Sequence, residues 1–172
     1  MKLENYANQI ANIFREKFHL VKGDCVVLLM ENRPEFVGIW YGLSKLGVVT
    51  ALVNTNLRNK VLVHSIQAAN PKVIIYDEEL EQAILQIRGD IGLEMNLIRQ
   101  GLTRPSSSNV PVLENLQSTT SKFFEQTETI VGKDILMYIY TSGTTGLPKP
   151  AIIKVSFKVV FFCSRREIIL WW

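Results

Sequence analysis

The densest chemistry in the 172-residue sequence is the run Thr141-Ser142-Gly143-Thr144-Thr145-Gly146-Leu147-Pro148-Lys149. Four hydroxyls, two glycines and a lysine within nine positions suit either a phosphate cradle or a plain flexible turn. Glycines let backbone N–H groups approach an anion, hydroxyls donate further hydrogen bonds, and the lysine adds a point charge. The run follows an apolar stretch of strand length, where α/β folds place ligand loops. It is not a Walker A loop, because Pro148 stands where a glycine is required five positions after Gly143. The spaced glycines of a dinucleotide fingerprint are absent as well.

Other reactive groups are sparse. Cys25 and Cys163 cannot build a disulfide framework, and with His19 and His64 they assemble no zinc spacing. Cys25 opens an apolar run and reads as a small buried hydrophobe in a reducing compartment. His64 reads as a structural helix residue. Glu78, Glu79 and Glu81 read as a solvated helix start favoured by the helix dipole. Asn54, at a strand end beside the expected cleft, suits a turn and a substrate-side role equally.

The elements that must position these residues follow from composition and periodicity. Hydrophobic residues make up 47% and charged residues 20%, which suits one packed core and excludes disordered and collagen-like classes. The net charge of +3 falls entirely in residues 151–172, while residues 1–150 carry 15 basic and 15 acidic side chains. A balanced body of this kind argues against a nucleic-acid binder. No stretch supplies the roughly 20 apolar residues of a spanning helix, and the N-terminus lacks the apolar region of a signal peptide.

Leu3, Tyr6, Ile10, Ile13, Phe14 and Phe18 recur at helical spacing and predict a helix over 3–18. Continuous apolar runs predict buried strands at 25–30, 48–53 and 72–76, with helices at 34–46, 59–69 and 78–88. A shorter strand is expected at 94–99, a loop over 103–109 and partial helix within 113–130. A strand rich in Ile and Tyr is expected at 135–140. Alternating strands and helices, the strands apolar on both faces, predict an α/β fold with a mostly parallel sheet flanked by helices.

The order of residues within 141–149 resembles the AMP-binding signature of adenylate-forming enzymes, which include acyl-CoA synthetases, luciferases and nonribosomal peptide adenylation domains. A second stretch narrows the resemblance. Met30-Glu31-Asn32-Arg33-Pro34-Glu35-Phe36-Val37-Gly38-Ile39-Trp40 and Leu46-Gly47-Val48-Val49-Thr50-Ala51-Leu52-Val53-Asn54-Thr55-Asn56-Leu57-Arg58 are similar to the long-chain fatty acid transport proteins. These are also called very-long-chain acyl-CoA synthetases. The likeness runs from about residue 3 to Ile153 and is strongest at 21–66 and 135–149.

The resemblance implies that residues 1–153 are a partial N-terminal lobe of an adenylate-forming enzyme. It implies a fatty acid–CoA ligase, in which ATP and a long-chain or very-long-chain fatty acid give an acyl-adenylate and coenzyme A then takes the acyl group. Thr141, Ser142, Thr144, Thr145 and Lys149 would hold the β- and γ-phosphates with Mg2+ sharing the charge, and Gly143 and Gly146 would let the backbone approach. Coupling to fatty-acid uptake is implied too, with association to the plasma membrane, endoplasmic reticulum or peroxisome. Trp40 and Tyr41 read as core packing rather than a fatty-acid slot.

The sequence departs from the family in three places. The aromatic–Gly–x–Thr–Glu adenine motif, the ribose-binding aspartate and the C-terminal catalytic lysine have no counterpart in residues 1–172. No catalytic residue is therefore assigned here, and the chain alone is expected to be inactive as a ligase. The alternative is a truncated isoform acting as a nucleotide-binding or interaction module. Pro150 stands where the family has Gly or Ala, and it brings no N–H. Beyond Ile153 the likeness stops, and residues 154–172 form a basic, aromatic tail. Lys154-Val155-Ser156 is what AAG-GTA-AGT encodes, so residues 155–172 are expected to be translated intron. That reading is preferred to an interfacial anchor using Phe157, Phe161, Phe162, Trp171 and Trp172. An incomplete lobe leaves sheet edges and apolar helix faces exposed, so aggregation is expected.

Overall fold

The structure is a computed structural model that describes residues 3–102, 109–118, 120, 123–127, 129–142 and 146–156. Its elements are α1 (Leu3–Glu16), β1 (Cys25–Leu29), α2 (Pro34–Lys45), β2 (Val49–Leu52), α3 (Asn59–Ala69) and β3 (Val73–Asp77). A 3-10 turn (Glu78–Leu80) then leads to α4 (Glu81–Gln86), α5 (Arg88–Ile91), β4 (Asn96–Gln100), α6 (Leu113–Ser118), β5 (Ile135–Ser142) and β6 (Pro148–Lys154). The six strands form one sheet in the order β4-β3-β1-β2-β5-β6. Five are parallel, and β6 runs antiparallel to β5. The α/β class and the mostly parallel, helix-flanked sheet are as the sequence predicts.

Three local differences have physical causes. The first helix stops at Glu16 because His19 adopts φ 51° and the Leu20 N–H bonds back to the Phe14 carbonyl at 3.0 Å, a left-handed helix closure. Phe18 is thereby folded against Phe14, with ring centroids 5.4 Å apart. The helix expected at 78–88 is broken into three pieces, since Leu80 and Ile87 sit at ψ 4° and 5°. The strand β6 was not foreseen: its two prolines mask strand character in a residue-by-residue reading.

Both faces of the sheet are covered. On one, α1 and α2 pack against Val26, Leu28, Val73, Ile75 and Ile98; Trp40 belongs to this core, as expected. On the other, α3, α4 and α5 pack against Val27, Leu29, Ala51, Ile74 and Tyr76. Helices α1 and α2 approach closely because α2 offers Gly38 and Gly42. A Cβ at Gly42 would lie 2.6 Å from the Ala7 carbonyl oxygen, and one at Gly38 would lie 2.3 Å from the Tyr6 ring.

A layer of paired charges closes the C-terminal ends of β3 and β4. Asp77 pairs with Arg33, and Arg99 pairs with Glu78 at 2.9 Å, with side chains 2% and 8% exposed. Glu78 is therefore a half-buried partner of Arg99 rather than part of a solvated helix start, and Glu81 is buried. The three-glutamate run conceals this, because Arg99 arrives from β4. Burial raises the Asp77 carboxyl above the usual range despite the opposing pull of Arg33. Glu114 accepts hydrogen bonds from Gln100 at 2.7 Å and from the Gly101 N–H at 2.9 Å.

Pro148 and Pro150 are accommodated by the position of β6 at the edge of the sheet. The Val155 N–H points inward to the Asp134 carbonyl at 3.0 Å. Alternation along β6 then turns the N–H groups of Ile153, Ala151 and Lys149 toward β5 and the nitrogens of Pro148 and Pro150 outward. The departure at Pro150 costs the ladder no hydrogen bond, and it blunts the outer edge against further pairing. Backbone pairing continues to Ser156, whose N–H bonds the Gly132 carbonyl at 2.8 Å. The tail residues Phe157 to Trp172 lie outside the described residues.

Two predictions follow from this packing. Gly42→Ala should destabilise by about 1–3 kcal/mol through overpacking against backbone. Gly89→Ala, where a Cβ meets nothing within 4 Å, should be neutral or stabilising by up to about 1 kcal/mol; urea titration of both variants checks the contrast. Glu78→Ala should destabilise by breaking a buried ion pair, by about 3–5 kcal/mol at most, and the double variant Glu78→Leu with Arg99→Met should cost less. A Glu78→Ala midpoint equal to that of the parent would refute the buried pair.

Candidate functional site

The nine-residue run is laid across a β-hairpin. Thr141 and Ser142 end β5, Pro148 and Lys149 begin β6, and Thr141 pairs with Lys149 while Ser142 pairs with Pro148. Gly146 and Leu147 immediately precede β6. Gly143, Thr144 and Thr145 lie outside the described residues, and of Ser142 only the backbone position is described.

Directly opposed residues of an antiparallel pair project to the same face. Thr141 and Lys149 thus stand side by side at the mouth of the loop, on the α1–α2 face with Met137 and Ile153. Both are exposed. Among the described residues no carboxylate pairs with Lys149, although Lys22, Lys45 and Lys72 all have acidic partners. Its charge is available to a ligand. Gly146 takes φ +81°, a conformation that a side chain strains, and nothing lies within 4 Å of where its Cβ would be. The described part of the loop is open for an anion to reach the backbone.

The opposite face of the hairpin rests on α3. Tyr140 donates its hydroxyl hydrogen to the Ser65 carbonyl at 2.6 Å. Burial, with Cys25 and Tyr138 adding to it, pushes the Tyr140 phenol well above its ordinary range, so it stays a donor. His64 lies 3.1 Å by Nε2 from the Pro148 carbonyl oxygen. His64 carried no functional signal in the sequence, since its partner is 84 positions away. Cys25 is buried at the far end of β1 with its thiol pushed up to about 12, the inert packing residue expected.

Beside the hairpin lies a cleft of about 270 Å³ at the C-terminal ends of β1, β2 and β5. Its position has a topological cause: β1 is followed by a helix on one face and β2 by a helix on the other, which opens a crevice between them. Met30, Phe36, Leu52 and Ile139 give it an apolar floor, and Glu31 and Asn54 a polar rim. Asn54 lines this cleft while its Oδ1 accepts the Asn56 N–H at 2.8 Å, so it makes the turn and also faces the opening. The Thr55 hydroxyl donates to Glu31 at 2.6 Å and ties the two loops together.

Comparison with known proteins agrees with this arrangement. A family model described as AMP-binding enzyme matches residues 1–168. Long-chain fatty acid transport protein 1 of Bos taurus is 39% identical over 155 residues, covering 88% of this chain and 24% of the bovine one. Long-chain fatty acid transport protein 6 of Homo sapiens is 33% identical over 153 residues, covering 88% and 25%. The chain thus spans about a quarter of the length of these curated relatives. Among solved structures, the anthranilate CoA ligase AuaEII in complex with anthranoyl-AMP superposes with a TM-score of 0.81 and 25% identity, over 90% of this chain and 29% of that one. The shared sequence and fold run through the sheet and the hairpin that bears the loop, and the chain belongs to the AMP-binding enzyme family.

Proposed function

We propose that this chain is the phosphate-holding part of a fatty acid–CoA ligase that activates long-chain or very-long-chain fatty acids. The observation that carries the reading is the hairpin, with Thr141 opposite Lys149, which has no acidic partner among the described residues, and with Gly146 open to an anion. A carboxylate resists nucleophilic attack until one oxygen becomes part of a good leaving group. In the first step a carboxylate oxygen attacks the α-phosphorus of ATP and pyrophosphate departs. In the second the sulfur of coenzyme A attacks the acyl carbonyl and AMP departs.

Negative charge gathers on the departing pyrophosphate, where a lysine, hydroxyls and backbone N–H groups stabilise it. Thr141, Ser142, Gly143, Thr144, Thr145, Gly146 and Lys149 are the residues we assign to that task. Among the described residues no three His, Cys, Asp or Glu side chains come together. Mg2+ therefore fits here as a companion of the ATP phosphates, screening their charge. The fatty acid as substrate is supported by the transport proteins at 33–39% identity. Coupling to uptake at a membrane is part of the same proposal, and no described helix is long and apolar enough to cross a membrane.

Calorimetric titration of the 172-residue chain with MgATP tests the reading. Lys149→Ala should weaken binding roughly tenfold to a hundredfold, the loss of a charge-assisted hydrogen bond of about 1.5–3 kcal/mol. Absence of MgATP binding by the parent chain would overturn it. With palmitate, ATP and coenzyme A supplied, residues 1–172 alone should form no palmitoyl-CoA, because this sequence contributes neither the adenine motif nor the catalytic lysine. Thioester detected by chromatography would reverse that part.

A further inference from the structure

We infer that His64 is a positioning residue for the phosphate loop, an inference that rests on the reading of the hairpin just given. A carbonyl oxygen can only accept, so the 3.1 Å contact to Pro148 requires a hydrogen on Nε2 of His64. The next residue of the same helix, Ser65, accepts from Tyr140 at 2.6 Å. Consecutive residues of α3 therefore grip both arms of the hairpin, one on each side of the loop. Tyr140 is adjacent to Thr141, and Pro148 is adjacent to Lys149.

The outgoing arm needs such a grip. Residue 148 occupies a position of β6 whose backbone groups face away from β5, so no strand takes up its carbonyl. Pairing of β5 with β2 ends at Ile139, so, among the described residues, 140–142 and 148–150 continue as a two-stranded ribbon, which is marginally stable by itself. Helix α3 is a firm base, with Leu62, Ser65 and Ile66 at 0%, 0% and 1% exposure. His64 thereby sets the distance between the arms, and with it the placing of Lys149 against Thr141. Phosphate binding by a cradle depends on such placing within about half an ångström.

The test uses the 172-residue chain and two readouts, MgATP affinity by calorimetry and amide exchange of Lys149 and Ala151 by NMR. His64→Ala should weaken MgATP roughly threefold to tenfold, the range for one hydrogen bond, and speed exchange at both amides. His64→Gln, which returns an Nε2–H donor at similar reach, should restore both. Tyr140→Phe should act in the same direction from the other arm. Should His64→Ala fail to fold, His64→Phe keeps the ring volume without the donor and replaces it. A parent chain that binds MgATP as tightly as its His64→Ala variant would overturn the inference and leave the proposed function standing. A parent chain that binds no MgATP would overturn the function and with it the phosphate role of His64; exchange rates unchanged in His64→Ala would overturn its grip on the hairpin as well.

Discussion

Parallel strands cannot be joined by tight turns, so each connection must cross a face of the sheet, and both faces end up under helices. This constraint organises the molecule. It makes β1 and β3 apolar on both sides, and it requires α1 and α2 to lie closely together over one face. Gly38 and Gly42 make that approach possible, since any side chain there would meet Tyr6 or the backbone of α1. With both faces closed, the loops at the C-terminal ends of the strands are where polar groups can gather around an opening.

The two halves of that edge are built differently. At β3 and β4 the polar groups are spent on one another: Arg33 holds Asp77, Arg99 holds Glu78, and Glu114 holds Gln100 and Gly101. Burying such charges is costly unless each is paired, and the pairs lock the segments after β1, β3 and β4 into one rigid platform. At β5 and β6 the described polar side chains are more exposed. Lys149 and Thr141 are exposed, Gly146 is open, and the nearby cleft offers an apolar floor beneath a polar rim.

The described part of the hairpin is exposed on one side and held on the other. Its outer edge is blunted by Pro148 and Pro150, whose missing donors face away from β5, and its inner face is fastened to α3 by Tyr140 and His64. Ile139, Leu147 and Ile152 remain exposed at 43%, 39% and 55%. They are apolar side chains of the kind the sequence-based expectation of aggregation invokes, with Ile139 and Ile152 on opposite faces of the ribbon.

Periodicity and composition in the sequence alone determined most of the element types and the mostly parallel sheet, and residue order marked out the run 141–149. These signals are local: an apolar run of strand length, a helical spacing, or a string of hydroxyls and glycines is read within a few positions. The family likeness was legible for the same reason, since its motifs are contiguous. Tertiary structure alone decided that Glu78 pairs with a buried arginine, because Arg99 stands on a distant strand. It also decided that β6 turns back along β5, since a strand with two prolines is tolerable only at a sheet edge, and edges are not written in local pattern. Finally, it placed His64 against Pro148 across 84 positions of sequence. A hydrogen bond between a side chain and a distant carbonyl depends on how helix and sheet pack, and no spacing in the chain encodes it.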